Sequence, residues 1–171
     1  MATYRLDGMG SAVAYNGPGA LVFSKEIDCA AVAAGTVKLN LLTGSTWGSA
    51  TTLPAGFSQN DILFIGIMPA GTLLTVGGIK CTTAEGATCS IDFGTHLSTT
   101  TCAEIDQDGF VAAYDCVATG TEITAVGDGY GANNVNGYLC TADVYVAITF
   151  DSAGGANVTK FTAFAIGAKV Y

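Results

Sequence analysis

Residues 61–89 read DILFIGIMPAGTLLTVGGIKCTTAEGATC, and how this stretch divides decides the fold. No charge falls between Ile62 and Ile79, and an unbroken apolar run of roughly 18 residues or more is the usual mark of a membrane-spanning helix. Met68-Pro69-Ala70-Gly71-Thr72 breaks the run at its centre. Proline lacks the amide hydrogen a helix needs, and a glycine two residues later supplies a turn. The flanks also lack the basic clusters that anchor a spanning helix. What remains, Ile62-Leu63-Phe64-Ile65 and Leu73-Leu74-Thr75-Val76, has the length and continuous apolarity of strands buried on both faces. The stretch is therefore predicted to form three β-strands joined by two turns, the first of which folds back or turns a corner.

The second turn carries a register. If Ala84-Glu85-Gly86 is a three-residue hairpin loop with Gly86 in the left-handed conformation, Thr83 faces Ala87 and Cys81 lies opposite Cys89. Ile79, Cys81, Cys89, Ile91 and Phe93 then share one face, and Lys80, Thr82, Ser90 and Asp92 the other. In an oxidising medium that register would let Cys81 and Cys89 form a disulfide. All six cysteines (Cys29, Cys81, Cys89, Cys102, Cys116 and Cys140) otherwise read as core thiols, since free cysteine is among the most buried residue types. No Cys-x-x-Cys pair is present and His96 is the single histidine, which argues against zinc.

A chain of 171 residues suits one domain with a sizeable core. Hydrophobic residues make up 50 % and charged residues 12 %, against about 25 % charged in an average chain. Part of the surface is therefore expected to be covered by partners. The net charge of −8, with no cluster of Lys or Arg, disfavours nucleic acid, whose phosphates require cations. The start, Met1 to Asp7, has neither a basic region nor an apolar core, which predicts no signal peptide and cytosolic synthesis. No membrane partner is expected.

Residues 1–19 are small and glycine-rich, and read as an N-terminal arm packed against a neighbouring subunit, or else on its own domain, with Met1, Tyr4 and Arg5 as candidate partner contacts. Residues 20–171 read as a single sandwich domain. Leu21, Phe23, Lys25 and Ile27 alternate with Val22, Ser24 and Glu26 as a strand. Asp28 to Gly35 carries the cap signals of one short helix. Val37, Leu39 and Leu41 mark a half-buried strand, and 44–49 a polar loop in which Trp47 either plugs the core or meets a partner. Gly94 to Cys102 reads as a loop with a solvated His96, and 127–134 as a long exposed loop. Strands are expected over 110–117, 121–126, 142–150 and 158–171. Roughly eight to ten strands spaced by turns indicate an all-β, antiparallel, jelly-roll-like sandwich with at most one short helix.

Catalytic sets are absent from the sequence. Nucleophilic Ser or Cys chemistry would have to use His96, and neither a Gly-x-Ser-x-Gly elbow nor a strand, glycine loop and Lys-bearing helix occurs. No enzyme and no cofactor are expected. Glu104, Asp106, Asp108 and Asp115, with Gly109 between, match the liganding spacing of a calcium loop. The alternative is a solvated acidic turn before a strand.

Several phrases recur in an order that resembles one family. They are Asn60-Asp61-Ile62-Leu63-Phe64, Met68-Pro69-Ala70-Gly71-Thr72, Thr82-Thr83-Ala84-Glu85-Gly86 leading to Ile91-Asp92-Phe93-Gly94, then Asp108-Gly109-Phe110, Thr141-Ala142-Asp143 and an aromatic strand to the C-terminus. Over about residues 60–171 the chain resembles the tailed-phage capsid decoration, or cement, proteins with a jelly-roll fold; its cysteine content departs from that pattern. The resemblance implies a homotrimer at local threefold positions on the outer capsid surface, with the major capsid protein as partner, bridging capsomers against internal pressure. The competing expectation is a carbohydrate-binding or adhesin-type sandwich, including a head-fibre or tail protein, with Trp47, Tyr130 and Tyr138 as stacking platforms.

Overall fold

The computed structural model describes residues 1–7, 14–15, 20–125, 137–152 and 156–170. The predicted turn at 16–19, the loop at 127–134 and Tyr130 lie outside the described residues. Alternation and turn residues divide the chain into β1 (Thr3–Leu6), β2 (Ala14–Tyr15), β3 (Ala20–Asp28), helix α1 (Cys29–Ala33), β4 (Leu39–Thr43), β5 (Thr46–Thr51), β6 (Asp61–Met68) and β7 (Thr72–Thr83). There follow β8 (Ser90–Leu97), β9 (Glu104–Asp115), β10 (Gly120–Ala125), β11 (Tyr138–Leu139), β12 (Val144–Phe150) and β13 (Lys160–Lys169). One sheet has the order β5-β4-β1-β6-β12-β8-β9; the other runs β10-β7-β13-β3-β2, with β11 also on β7. Every pairing is antiparallel except β1 with β6. The fold is the all-β sandwich expected, with its single helix capped as read: the Asp28 carboxylate accepts the Ala31 amide at 2.9 Å and Gly35 follows with φ +75°.

The Pro-Ala-Gly turn is a corner. Gly71, at φ +79°, lets the chain leave β6 in the seven-stranded sheet and enter β7 in the six-stranded one. Residues 84–89 cross back to β8, so the predicted hairpin does not form. Cys81 lies beside Phe161 and Gly120, and Thr83 beside Lys160. Ile79, Cys81, Cys89, Ile91 and Phe93 nevertheless all face the core, from two opposed sheets. Period-two alternation reports which way a residue faces, and two facing sheets satisfy it as well as one hairpin does. The crossing is fixed by Glu85, whose carboxylate accepts the amides of Asn157 (3.2 Å), Val158 (3.0 Å) and Thr159 (2.6 Å) ahead of β13. All six cysteines are buried free thiols, and the register on which the Cys81–Cys89 disulfide rested is absent.

Three other readings are corrected. Residues 3–6 are not an arm: β1 lies inside the seven-stranded sheet between β4 and β6, with Tyr4 and Leu6 in the core. Its hold is internal, since Asp61, buried at the head of β6, accepts the amides of Ala2 (2.7 Å) and Ser58 (2.9 Å). Trp47 belongs to strand β5 rather than a loop. His96 belongs to β8 and is only 2 % exposed. Its polar neighbours misled because β8 is covered on its outward face as well.

Candidate partner interface

The outward face of the seven-stranded sheet carries an apolar cluster of its own. β1, β6 and β12 set Arg5, Phe64 and Ala147 side by side, flanked by Asn40 of β4 and Gly94 of β8. Tyr145, beside His96 in the next register, stacks on Phe64 at 4.5 Å with the planes 12° apart. Trp47 meets both rings edge-on, at 5.8 Å from Phe64 and 6.5 Å from Tyr145. The Arg5 guanidinium lies over the Trp47 ring, 4.7 Å from its centroid, a cation held by the ring's electron-rich face. Ile62, Ala147 and Cys102 complete the buried set.

The predicted contacts thus divide. Arg5 and Trp47 come together on one surface, in residue types that dominate interface energetics. Met1 is 88 % exposed at the head of β1. Tyr4 points the other way, packing edge-on against Phe57 at 5.9 Å within the core, so it is not a surface contact. Of the predicted sugar platforms, Trp47 has one ring face occupied by Arg5, and Tyr138 packs on the core.

His96 closes this cluster. Its Nδ1 lies 3.1 Å from the Cys102 carbonyl, which can only accept, so Nδ1 carries the proton and Nε2 is left as a bare lone pair. That nitrogen is buried without a hydrogen-bond partner among the described residues. Phe64 packs edge-to-face against the imidazole at 5.3 Å, and burial lowers its pKa below the ordinary value. Sequence reasoning missed this residue because its neighbours in the chain are polar while its neighbours in space are rings.

The calcium-loop spacing does not become a calcium loop. Glu104 and Asp115 stand at opposite ends of β9, paired with His96 and Ser90 respectively. At about 3.3 Å per residue along β8, those partners lie roughly 20 Å apart. Asp115 accepts the Val117 amide instead. Asp106 and Asp108 do interact, and burial followed by the neighbouring Asp108 pushes the Asp106 carboxyl up to about 6. No group of three or more His, Cys, Asp or Glu among the described residues could hold a metal ion. The cleft between β9 and β10, about 260 Å³, is lined by Asp108, Phe110, Val111, Glu122 and Thr124. No helix among the described residues is long and apolar enough to cross a membrane.

The sequence matches no protein-family model and no curated protein. Among solved structures, a chain from the capsid of Ralstonia phage GP4 has the same fold, with a TM-score of 0.55 over 95 % of this chain and 97 % of that one. This chain is similar to a phage capsid chain. The similarity spans both chains nearly end to end at 12 % identity, so it lies in the sandwich and its connections rather than in the side chains.

Proposed function

We propose that this chain is a structural virion protein that decorates a phage capsid on its outer surface, as a homotrimer bridging neighbouring capsomers of the major capsid protein. The observation that carries the reading is the near end-to-end correspondence with a chain of the Ralstonia phage GP4 capsid. The chemistry of the surface agrees with it. A net charge of −8 keeps an outward-facing protein from adhering to packaged DNA. A charged fraction of 12 % suits a chain with covered faces. Met1, Arg5 and Trp47 offer the shell a cationic and aromatic contact at one end of the seven-stranded sheet.

The test is re-decoration. Purified chain is mixed with undecorated shells of the encoding phage, pelleted and imaged. Added density at local threefold positions is the expected result. Bare shells together with a stable monomer in solution would overturn the proposal.

A further inference from the structure

The six-stranded sheet has one face in the core and one turned outward, and register fixes which residues lie on each. Phe161, Ala163 and Ala165 of β13 are fully buried, so Thr162, Phe164, Ile166 and Ala168 face out. Across the sheet, Ile166 lies between Val22 and Val76. In the next register Phe164 lies between Ser24 and Gly78, and Gly78 neighbours Ile123. Ala168 lies beside Leu73, which neighbours Leu139. A Cβ at Gly78 would collide with the Phe164 ring, so that ring covers the glycine. On this face Ile123 is 64 % exposed, Leu139 47 % and Ile166 39 %.

Contiguous apolar surface of this kind on a soluble protein marks a contact site. Its charges say with what. The outward charged side chains, Glu26, Asp28, Lys80 and Lys160, gather at one end, two of each sign, and Lys160 is already engaged by Glu26 (3.1 Å) and Asp28 (3.6 Å). The four charges sum to zero, so that end favours neither an anionic nor a cationic partner. Two copies of a chain with net charge −8 repel each other overall, and a neutral apolar face is where they can meet without opposing like charges. The face of the other sheet carries Arg5 and Trp47, the contact assigned above to the shell. We propose that the outward face of the six-stranded sheet, centred on Val76, Ile123, Phe164 and Ile166, is the surface through which copies of this chain join. The inference rests on the decoration reading only for the number of copies. Around a threefold axis, each copy presents one part of the face and receives its neighbour on another.

Sedimentation of the full chain at low and high salt tests this directly. Association that is unchanged or strengthened by salt is expected, because apolar contact persists while repulsion between like-charged copies is screened. Ile123→Lys and Ile166→Lys should reduce the mass to that of a monomer. Val117→Lys and Val158→Lys, comparably exposed at 44 % and 45 % but in connections outside the strands, should leave it unchanged. Hydrogen exchange on the unaltered chain should show added protection in β7, β10 and β13 on association, a readout that needs no variant to fold. A wild-type monomer at both salts, association weakened by salt, or association without that protection would overturn the inference. A dimer through this face would keep the surface and overturn the threefold arrangement. A chain that associates through the face yet leaves shells bare would overturn the decoration reading alone, and one that coats shells as a monomer would overturn only the inference.

Discussion

Cys89 and Cys116 face each other across the β8–β9 ladder. The Cys116 amide donates to the Cys89 carbonyl at 2.8 Å, continuing the register in which Ser90 opposes Asp115 and Ile91 opposes Tyr114. Hydrogen bonding between the two thiols is the leading influence on both, lowering the Cys89 pKa and raising that of Cys116. Directly opposed residues of this kind have Cα atoms about 5.5 Å apart, inside the roughly 4.4–6.8 Å range that a disulfide accepts. Dioxygen with a copper–phenanthroline catalyst should therefore join Cys89 to Cys116, the two thiol hydrogens passing to oxygen. Peptide mapping reads the linkage; a Cys81–Cys89 bond in its place would contradict the register.

Glu85 is the clasp of the sheet crossing, holding three successive amides at the entry to β13. Glu85→Ala leaves those donors without their carboxylate and should cost about 2–3 kcal/mol. For a chain of this size that corresponds to a fall in Tm of roughly 4–12 °C. Glu85→Gln, which keeps one acceptor oxygen, should lose less. Thermal denaturation followed by circular dichroism measures both, and an unchanged Tm for the alanine variant would refute the assignment.

Gly94 lies directly beneath backbone, because a Cβ there would overlap the carbonyl oxygens of Asp106 and Gln107. The irregular β8–β9 pairing brings β9 over this point, aided by Asp92, which accepts the Ala113 amide at 2.7 Å and the Gln107 side chain at 2.6 Å. Gly94→Ala forces one strand away from the other and should cost about 1–3 kcal/mol, as overpacking does. Urea denaturation of the variant should show the loss in the midpoint; equal midpoints would mean the strand yields freely.

His96 makes the fold sensitive to mild acid. Burial holds its pKa below the usual value, so the native chain takes up this proton less readily than the unfolded chain. The stability involved is complete above the unfolded value of about 6.5 and is lost as pH falls through it. Relative to His96→Phe, which does not titrate, the wild-type Tm should drop between pH 7 and pH 5. Parallel Tm profiles for the two proteins would remove the histidine from the account.

Asp106 acts in the opposite sense. Its carboxyl, pushed up to about 6 by burial and Asp108, binds a proton more tightly in the fold than in the unfolded chain. That contribution is full below the unfolded value of about 3.9 and is lost as pH rises through 6. Asp106→Asn should raise Tm at pH 8 by about 1–3 °C and change it little at pH 4. A gain of equal size at both pH values would point to a cause other than charge.

Local patterns in the sequence were read well where local physics decides the outcome. The cap at Asp28, the Gly35 stop, the presence of a turn at Gly71 and the inward Leu21, Phe23 and Ile27 of β3 follow from what adjacent residues permit. His96 was misread as solvated because polar neighbours in sequence signal exposure, whereas Phe64, distant in the chain, covers it; Trp47 lies in a strand, where the polar residues around it suggest a loop. The acidic spacing at 104–115 was legible as spacing only; a bulged strand and a compact loop can carry the same intervals.

By itself the sequence determined the all-β sandwich, its capped helix and the inward residues Leu21, Phe23, Ile27, Ile79, Cys81, Cys89, Ile91 and Phe93, because alternation and cap chemistry act over a few residues. Only the tertiary structure decided that Cys81 and Cys89 lie in opposed sheets, that Thr3–Leu6 is built into one of them, and that Ile123, Phe164 and Ile166 form one exposed surface. Those relations depend on which strands pair across long stretches of chain, and a period of two is the same for every partner a strand could choose.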